Sequence, residues 1–112
     1  MPELSAEDAK LVTLARATRA RTGAAEGAAV RDENGRTYAA ATVELASLRL
    51  TALEVCVAMA ISSGSRGLEA AVVLTHAVGG VAGLAAVRDF AGSGVTVHVG
   101  DHRGGLIDST TT

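Results

Sequence analysis

Ala41-Thr-Val-Glu-Leu-Ala-Ser-Leu-Arg-Leu-Thr-Ala-Leu-Glu-Val-Cys-Val-Ala-Met-Ala60 decides how this chain is read. It begins at the end of an extended run, and Thr51 then opens a helix. Thr51 is an N-cap residue and Glu54 holds the third helical position, the spacing of a capping box worth about 1 kcal/mol. Behind the cap, Leu53, Val55, Cys56, Val57, Ala58, Met59, Ala60 and Ile61 carry the helix to about Ser62 without a polar stripe. Such a helix is expected to be buried on every side. One sheet in a chain of 112 residues covers only one of its faces, so the other requires a second helix or a second subunit.

Upstream, Ser5-Ala-Glu-Asp8 has the form of a helix start with acids at the positive end of the dipole. Leu11, Leu14, Ala15 and Thr18 recur at helical spacing, and the helix should end near Arg21-Thr-Gly23. Lys10, Arg16, Arg19 and Arg21 read as a solvated face and as partners of the helix C-terminus. Glu26 to Arg31 and Arg36 to Val43 flank Asp32-Glu-Asn-Gly35. Asn-Gly between extended runs predicts a hairpin whose two central residues both take positive φ.

Downstream, Ser63 to Gly67 is a turn and Leu68 to Thr75 a strand buried on both faces. Gly79-Gly80 opens a loop into a third helix, roughly Val81 to Ala91, which Gly92-Ser-Gly94 ends. Val95 to Val99 is a strand, Gly100 to Gly105 a turn, and Leu106-Ile107 a short last strand. Asp108 to Thr112 reads as a frayed tail. The strand-helix-strand crossover favours parallel pairing. The fold class is therefore α/β, with one mixed sheet of about five strands flanked by helices, in a single domain over residues 1–112.

Hydrophobic residues make up 48% of the chain, with one Phe, one Tyr and no Trp, so helices and strands built from Ala, Val and Leu should approach closely. A net charge of −2 and few aromatic residues give no footing for nucleic acid. Cys56 stands alone, which excludes an intramolecular disulfide and a cysteine-based metal cage. The acidic N-terminal residues do not form a signal peptide and no apolar run is long enough for a bilayer, so the expected location is cytoplasmic.

The opening stretch resembles the small homotetrameric cytidine deaminases, which read approximately Asn-Val-Glu-Asn-Ala-Ser-Tyr-Gly-Leu-Thr-x-Cys-Ala-Glu here. Val43, Glu44, Ala46, Ser47, Leu50 and Thr51 align without a gap, and Gly27-Ala-Ala29 matches that family's Val-Gly-Ala-Ala segment. The resemblance spans roughly residues 6–107 and is specific over about 25–60. It implies a three-layer α-β-α fold and a zinc-activated water attacking cytosine, with a glutamate moving protons. Yet the first cysteine ligand falls on Leu53 and the glutamate on Val55. The family's Pro-Cys-x-x-Cys loop falls between Val78 and Ala86, and Val78 to Phe90 contains neither Cys nor His. No cofactor and no metal ligand are therefore expected.

The positions that resemble the family's sugar contacts are Thr42 and Glu44, and with Glu54 they are the candidates for a residual pocket. The aromatic base contact falls on Ala24, and Glu26 replaces a valine, both unfavourable to a nucleoside. Glu44 also reads as a structural hydrogen bonder, Glu54 as a cap and Cys56 as an inert buried thiol. His98 lies in a strand, while His76 and His102 follow strands. The latter two can converge at the carboxyl ends of adjacent parallel strands, where with Asp101 they would hold a metal or an anion.

The leading expectation is a catalytically inactive cytidine deaminase-like protein acting as a homo-oligomer, dimer or tetramer, or as a module for a protein partner. The first alternative is a nucleoside or nucleotide binder using the residual pocket. The second is an enzyme: a deaminase with non-standard zinc ligands, or another hydrolase using Asp101, His102 and Glu54.

Overall fold

The computed structural model describes residues 4–77 and 80–112. Along the chain these form α1 (Ala6–Thr22), β1 (Gly27–Asp32), β2 (Thr37–Ala41), β3 (Val43–Glu44), β4 (Arg49–Leu50), α2 (Ala52–Ser62), β5 (Leu68–Leu74), α3 (Leu84–Ala91), β6 (Thr96–Gly100) and β7 (Leu106–Thr111). Five strands make one mixed sheet in the order β2-β1-β5-β6-β7, and β3 with β4 forms a separate antiparallel ribbon. Among the described residues, only the β5–β6 pair is parallel, joined through α3, which a crossover connection allows.

Alternation along the strands divides the core into two layers. Leu11 and Ala15 of α1 meet Ala29, Ala70, Val72 and Leu74 on one face. On the other, Leu53, Cys56, Val57 and Val87 of α2 and α3 meet Ala28, Val30, Ala71, Val73 and Val97. The small strand residues bring the helices in close. At Gly27 an added Cβ would overlap the Ala15 carbonyl oxygen and stand 2.6 Å from Arg19 Cβ, so the second half of α1 rests directly on β1.

Both helix starts read from sequence are present. Ser5 Oγ accepts from the Asp8 amide at 3.1 Å, and Gly23 closes α1 at φ 66°. The hairpin differs from expectation. Gly35 has φ 82° and, among the described residues, no non-glycine residue has positive φ, so Asn34 does not join it in the left-handed region. Asp32 is the reason: its Oδ1 accepts from the Asn34 and Arg36 amides, each at 2.9 Å, and draws the connection into a three-residue turn with one left-handed glycine.

The extended run to Val43 breaks at Thr42, and its continuation pairs with Arg49–Leu50 instead. The third helix begins at Leu84, later than the reading from Val81, because Gly83 takes φ 94° and caps it. Gly79 of the expected loop lies outside the described residues. Asp108 to Thr112 is not a frayed tail. Hydrogen-bonded pairing with β6 orders it as β7, and the Thr112 amide donates to the Val95 carbonyl at 3.0 Å. Nor is α2 buried on every side, since Ile61 remains 52% exposed in the single chain.

Asp32 ties the hairpin to the turn before β5. Its Oδ2 accepts from Ser65 Oγ at 2.6 Å and pairs with Arg36 Nε at 2.9 Å. Burial raises the carboxyl, but the Ser65 hydroxyl, the Arg36 and Asn34 amides and the Arg36 charge outweigh it and lower the pKa to about 2. A depressed carboxylate stabilises the fold fully above its unfolded value of 3.8, and that contribution is lost as pH falls towards 2. Asp32→Asn should therefore flatten the fall in melting temperature across this acid range, followed by circular dichroism. Asp8, also depressed, leaves a remainder of the same sign. An unaltered acid slope would contradict the assignment.

Candidate functional site

The start of α2 is built from four residues. Glu54 Oε1 accepts from the Thr51 amide at 2.8 Å while Thr51 Oγ1 accepts from the Glu54 amide at 3.1 Å, completing the capping box. Leu53 turns inward and is fully buried, whereas Val55 is half-buried on the outer side. Gly83 is pressed onto this turn: a Cβ there would lie 2.6 Å from Thr51 Oγ1, 3.2 Å from Leu53 Cβ and 3.3 Å from Glu54 Cγ. The two helix starts thus meet backbone against cap.

One turn further on, Cys56 is enclosed and its thiol donates to the Tyr38 carbonyl at 3.7 Å. Burial raises the thiol to about 12, against a weaker opposing contribution from the Ala40 backbone. It is protonated at neutral pH and has the environment of an inert thiol.

Two clefts open at the carboxyl end of the β5–β6 pair. One, of about 470 Å³, is bordered by Thr75, Val81, Leu84, Val99, Ile107 and Thr110. The second, of about 250 Å³, is lined by Arg19, Ala25, Glu26, Thr42, Thr75, His76 and Ala77. Beside it the imidazoles of His76 and His102 meet edge to face, their centroids 3.8 Å apart. Asp101 does not complete a triad with them. Its Oδ1 accepts from the Arg103 and Gly105 amides at 2.9 and 3.0 Å, which holds it in its own turn.

His98 lies apart, under the start of α1. Its Nε2 is 2.9 Å from Asp8 Oδ2, and Arg31 bridges Asp8 and Glu69 at 2.9 Å each. Burial would raise the Asp8 carboxyl, but hydrogen bonds from His98 and Arg31, and their charges, hold it below the ordinary value. This network fastens α1 to β1, β5 and β6.

The three pocket candidates are dispersed in role. Thr42 Oγ1 accepts from the Glu26 amide at 3.0 Å and borders the smaller cleft. Glu44 is exposed on β3 opposite Arg49, and Glu54 is engaged with the cap of α2. Neither Glu44 nor Glu54 lines that cleft. Glu26 was read as a pocket position through the resemblance and does line this cleft, whereas Arg19 was not legible as a cleft residue. An arginine in the last turns of a helix reads as solvated, and only Gly27, which admits Arg19 against β1, hinted otherwise.

A family model described as cytidine deaminase-like matches residues 4–104. The chain belongs to the cytidine deaminase-like family. Solved structures similar to this family member include the cytidine deaminase of Burkholderia pseudomallei, at 20% identity and TM-score 0.78, covering 96% of this chain and 93% of that one. That of Mycobacterium leprae has 18% identity and TM-score 0.71, with 96% and 94% covered. That of Mycobacterium tuberculosis has 22% identity and TM-score 0.70, with 91% and 89% covered. At such identities the likeness carries the fold. No match is found among curated proteins.

In this cytidine deaminase-like chain, the positions where the sequence resemblance places the first zinc ligand and the proton-moving glutamate are Leu53 and Val55. Part of the family's second ligand loop, Val78 and Gly79, lies outside the described residues. Among the described residues, no three His, Cys, Asp or Glu side chains are grouped so as to hold a metal ion. Among the described residues, no helix is long and apolar enough to cross a membrane.

The packing of Gly83 on the cap gives a stability prediction. Thr51→Ala should cost about 1 kcal/mol through the lost cap. Gly83→Ala, at positive φ and against Thr51, should cost about 1–3 kcal/mol. Because the two groups touch, the double variant should lose less than the sum in urea unfolding. Strict additivity would argue against the contact.

Proposed function

We propose that this cytidine deaminase-like protein does not perform zinc-dependent deamination and acts instead as an oligomeric module. The observation that carries the proposal is the start of α2. A catalytic zinc site needs about three thiolate, imidazole or carboxylate donors with one position open to water. Here Leu53 fills the core, Val55 has no proton to move, Glu54 is committed to the cap, and Gly83 closes on the same turn. The donor set does not fit the ion. The family fold is retained while these positions serve packing.

The outer face of α2 supports the oligomeric part. Tyr38, Val55, Ala58, Met59, Ser62 and Ser63 line an open groove of about 370 Å³, and Ile61 is exposed nearby on the helix. The groove has no charged side chain to select a charged partner, so its best-matched occupant is the same uncharged face of a second copy, in an isologous contact. The ribbon between β3 and β4 adds Leu45 and Leu48, exposed by 62% and 48%, as further apolar contact surface. The buried, unpaired Cys56 fits a cytoplasmic location.

Two measurements test this reading. Elemental analysis of purified protein should find substoichiometric zinc, and cytidine should show no ultraviolet change on prolonged incubation. Stoichiometric zinc with deamination would overturn the proposal. Light scattering at micromolar concentration should report a dimer or tetramer, and Met59→Glu should shift it to monomer, since an uncompensated charge in the contact costs about 2–5 kcal/mol. A monodisperse monomer of the unaltered chain would remove the oligomeric part.

The nucleoside-binding reading retains one support, the position of Thr42 on the smaller cleft. Calorimetric titration with cytidine and uridine would register saturable heat if it holds.

A further inference from the structure

Glu26 carries a carboxylate for which the fold supplies no partner. The residue is only 8% exposed, stands just ahead of β1, and lines the cleft of about 250 Å³. Thr42 clamps its backbone: the Glu26 amide donates to Thr42 Oγ1 at 3.0 Å, and its carbonyl accepts from the Thr42 amide at 3.3 Å. Gly27 pairs with both Ala41 and Leu74. Continuing that register sets Glu26 between Thr42 and Thr75, which line the same cleft.

Among the described residues, no hydrogen bond or ion pair reaches the Glu26 carboxylate. The polar atoms that are both enclosed and unpaired belong to Asp8, Arg19, Arg31 and His102. Glu26 is not one of these residues, so its unpaired oxygens keep their access to solvent, and the cleft is the opening the residue lines. Arg19 does not answer this charge by contact. A Cβ at Gly27 would stand 2.6 Å from Arg19 Cβ, so Gly27 faces α1, and alternation directs the preceding Glu26 to the other side of the sheet.

An acid left without a partner in a largely apolar setting is costly, and a ligand donor removes that cost. An ammonium is the best-matched donor, because its bonds to a carboxylate are charge-assisted and roughly twice as strong as neutral ones. Ala25, Ala77 and the two threonine methyls make the surrounding surface carbon-rich, which suits a short apolar body. The Thr75 hydroxyl accepts from the Ala77 amide at 3.0 Å and keeps a second lone pair for another ammonium proton.

We propose that this cleft binds the ammonium group of a small primary amine, with Glu26 as its acceptor and Ala25 and Ala77 against its apolar body. An uncharged nucleoside leaves the carboxylate's charge unanswered, so the ligand class differs from the nucleoside reading. The site does not rest on the oligomeric proposal, and it stands whatever the metal content at α2.

Propylammonium is the probe, with propan-1-ol as an uncharged counterpart of equal size. At pH 8 a primary amine is almost wholly protonated. The Glu26 carboxyl carbon and the Thr42 and Thr75 methyl resonances are followed by NMR in the full chain, with sodium chloride holding ionic strength fixed. Propylammonium should give saturable shifts at all three, and propan-1-ol none. Glu26→Gln preserves size and should weaken binding by about tenfold. Ala25→Leu, at an exposed position, narrows the cleft with the carboxylate left in place and should weaken it also. The melting temperature separates a ligand-facing acid from one that serves the fold. Removing an unpaired buried charge should leave it unchanged or higher. A fall of more than about 4 °C in Glu26→Gln, unfolding included, overturns the proposal. So does the absence of a saturable shift up to about 100 mM propylammonium. Equal binding of propan-1-ol, or unchanged affinity in either variant, overturns it as well.

Discussion

The cap of α2 is the constraint on which the rest of this structure turns. Thr51 and Glu54 satisfy each other's amides, and that reciprocal closure fixes where the helix begins and which side chain points inward. Leu53 then enters the core one residue before the cap is complete, and the start of α3 descends on it through Gly83. Two helix starts facing each other concentrate amide donors at one place. In this chain a hydroxyl and a carboxylate answer two amides at the start of α2, while the start of α3 has no side-chain cap and meets Thr51, Leu53 and Glu54 through Gly83.

The small side chains of the sheet make this closeness possible. Ala28, Ala29, Ala70 and Ala71 let α1 on one face and α2 on the other approach strands buried on both sides. With so few aromatic residues, stability rests on many short contacts at high packing density. Polar ties are then placed where layers must be held in register. Asp32 joins hairpin to turn, and Asp8 joins α1 to two strands through Arg31 and to a third through His98. Each is a carboxylate with enough donors to remain ionised, so these ties weaken together in acid.

Much of this was legible in the sequence where a rule acts over three or four residues. The boxes at Ser5 and Thr51, the glycine stop of α1 and the two-sided burial of β5 depend on near neighbours and on composition. The meeting of His76 and His102 was legible because each follows one strand of a parallel pair. Other features depended on a partner distant in sequence. Asp32 reshaped the Asn-Gly turn because its side chain faced inward towards Ser65, 33 residues away. Arg19 became a cleft residue because Gly27 on a different element made room. Asp108 to Thr112 looks disordered by composition, and only the open edge of β6 gave it a structure. The family resemblance located α2 correctly and left its chemistry to be read residue by residue.

That last strand carries a consequence for how the protein behaves in a crowded solution. A sheet of apolar strands grows sideways by accepting any extended segment that meets its free edge. Here the closing position is held by β7, whose middle residues Ile107, Asp108 and Ser109 are exposed and whose later residues are threonines. Thr112 is fastened back to Gly92, Gly94 and Val95, which pins the strand against β6. Apart from Ile107 its exposed residues are polar, which makes it a poorer template than β6 would be, and Val97 and Val99 of β6 are not the edge offered to another chain. Hydroxyl and acidic side chains at this edge disfavour the open-ended strand stacking that leads to fibres.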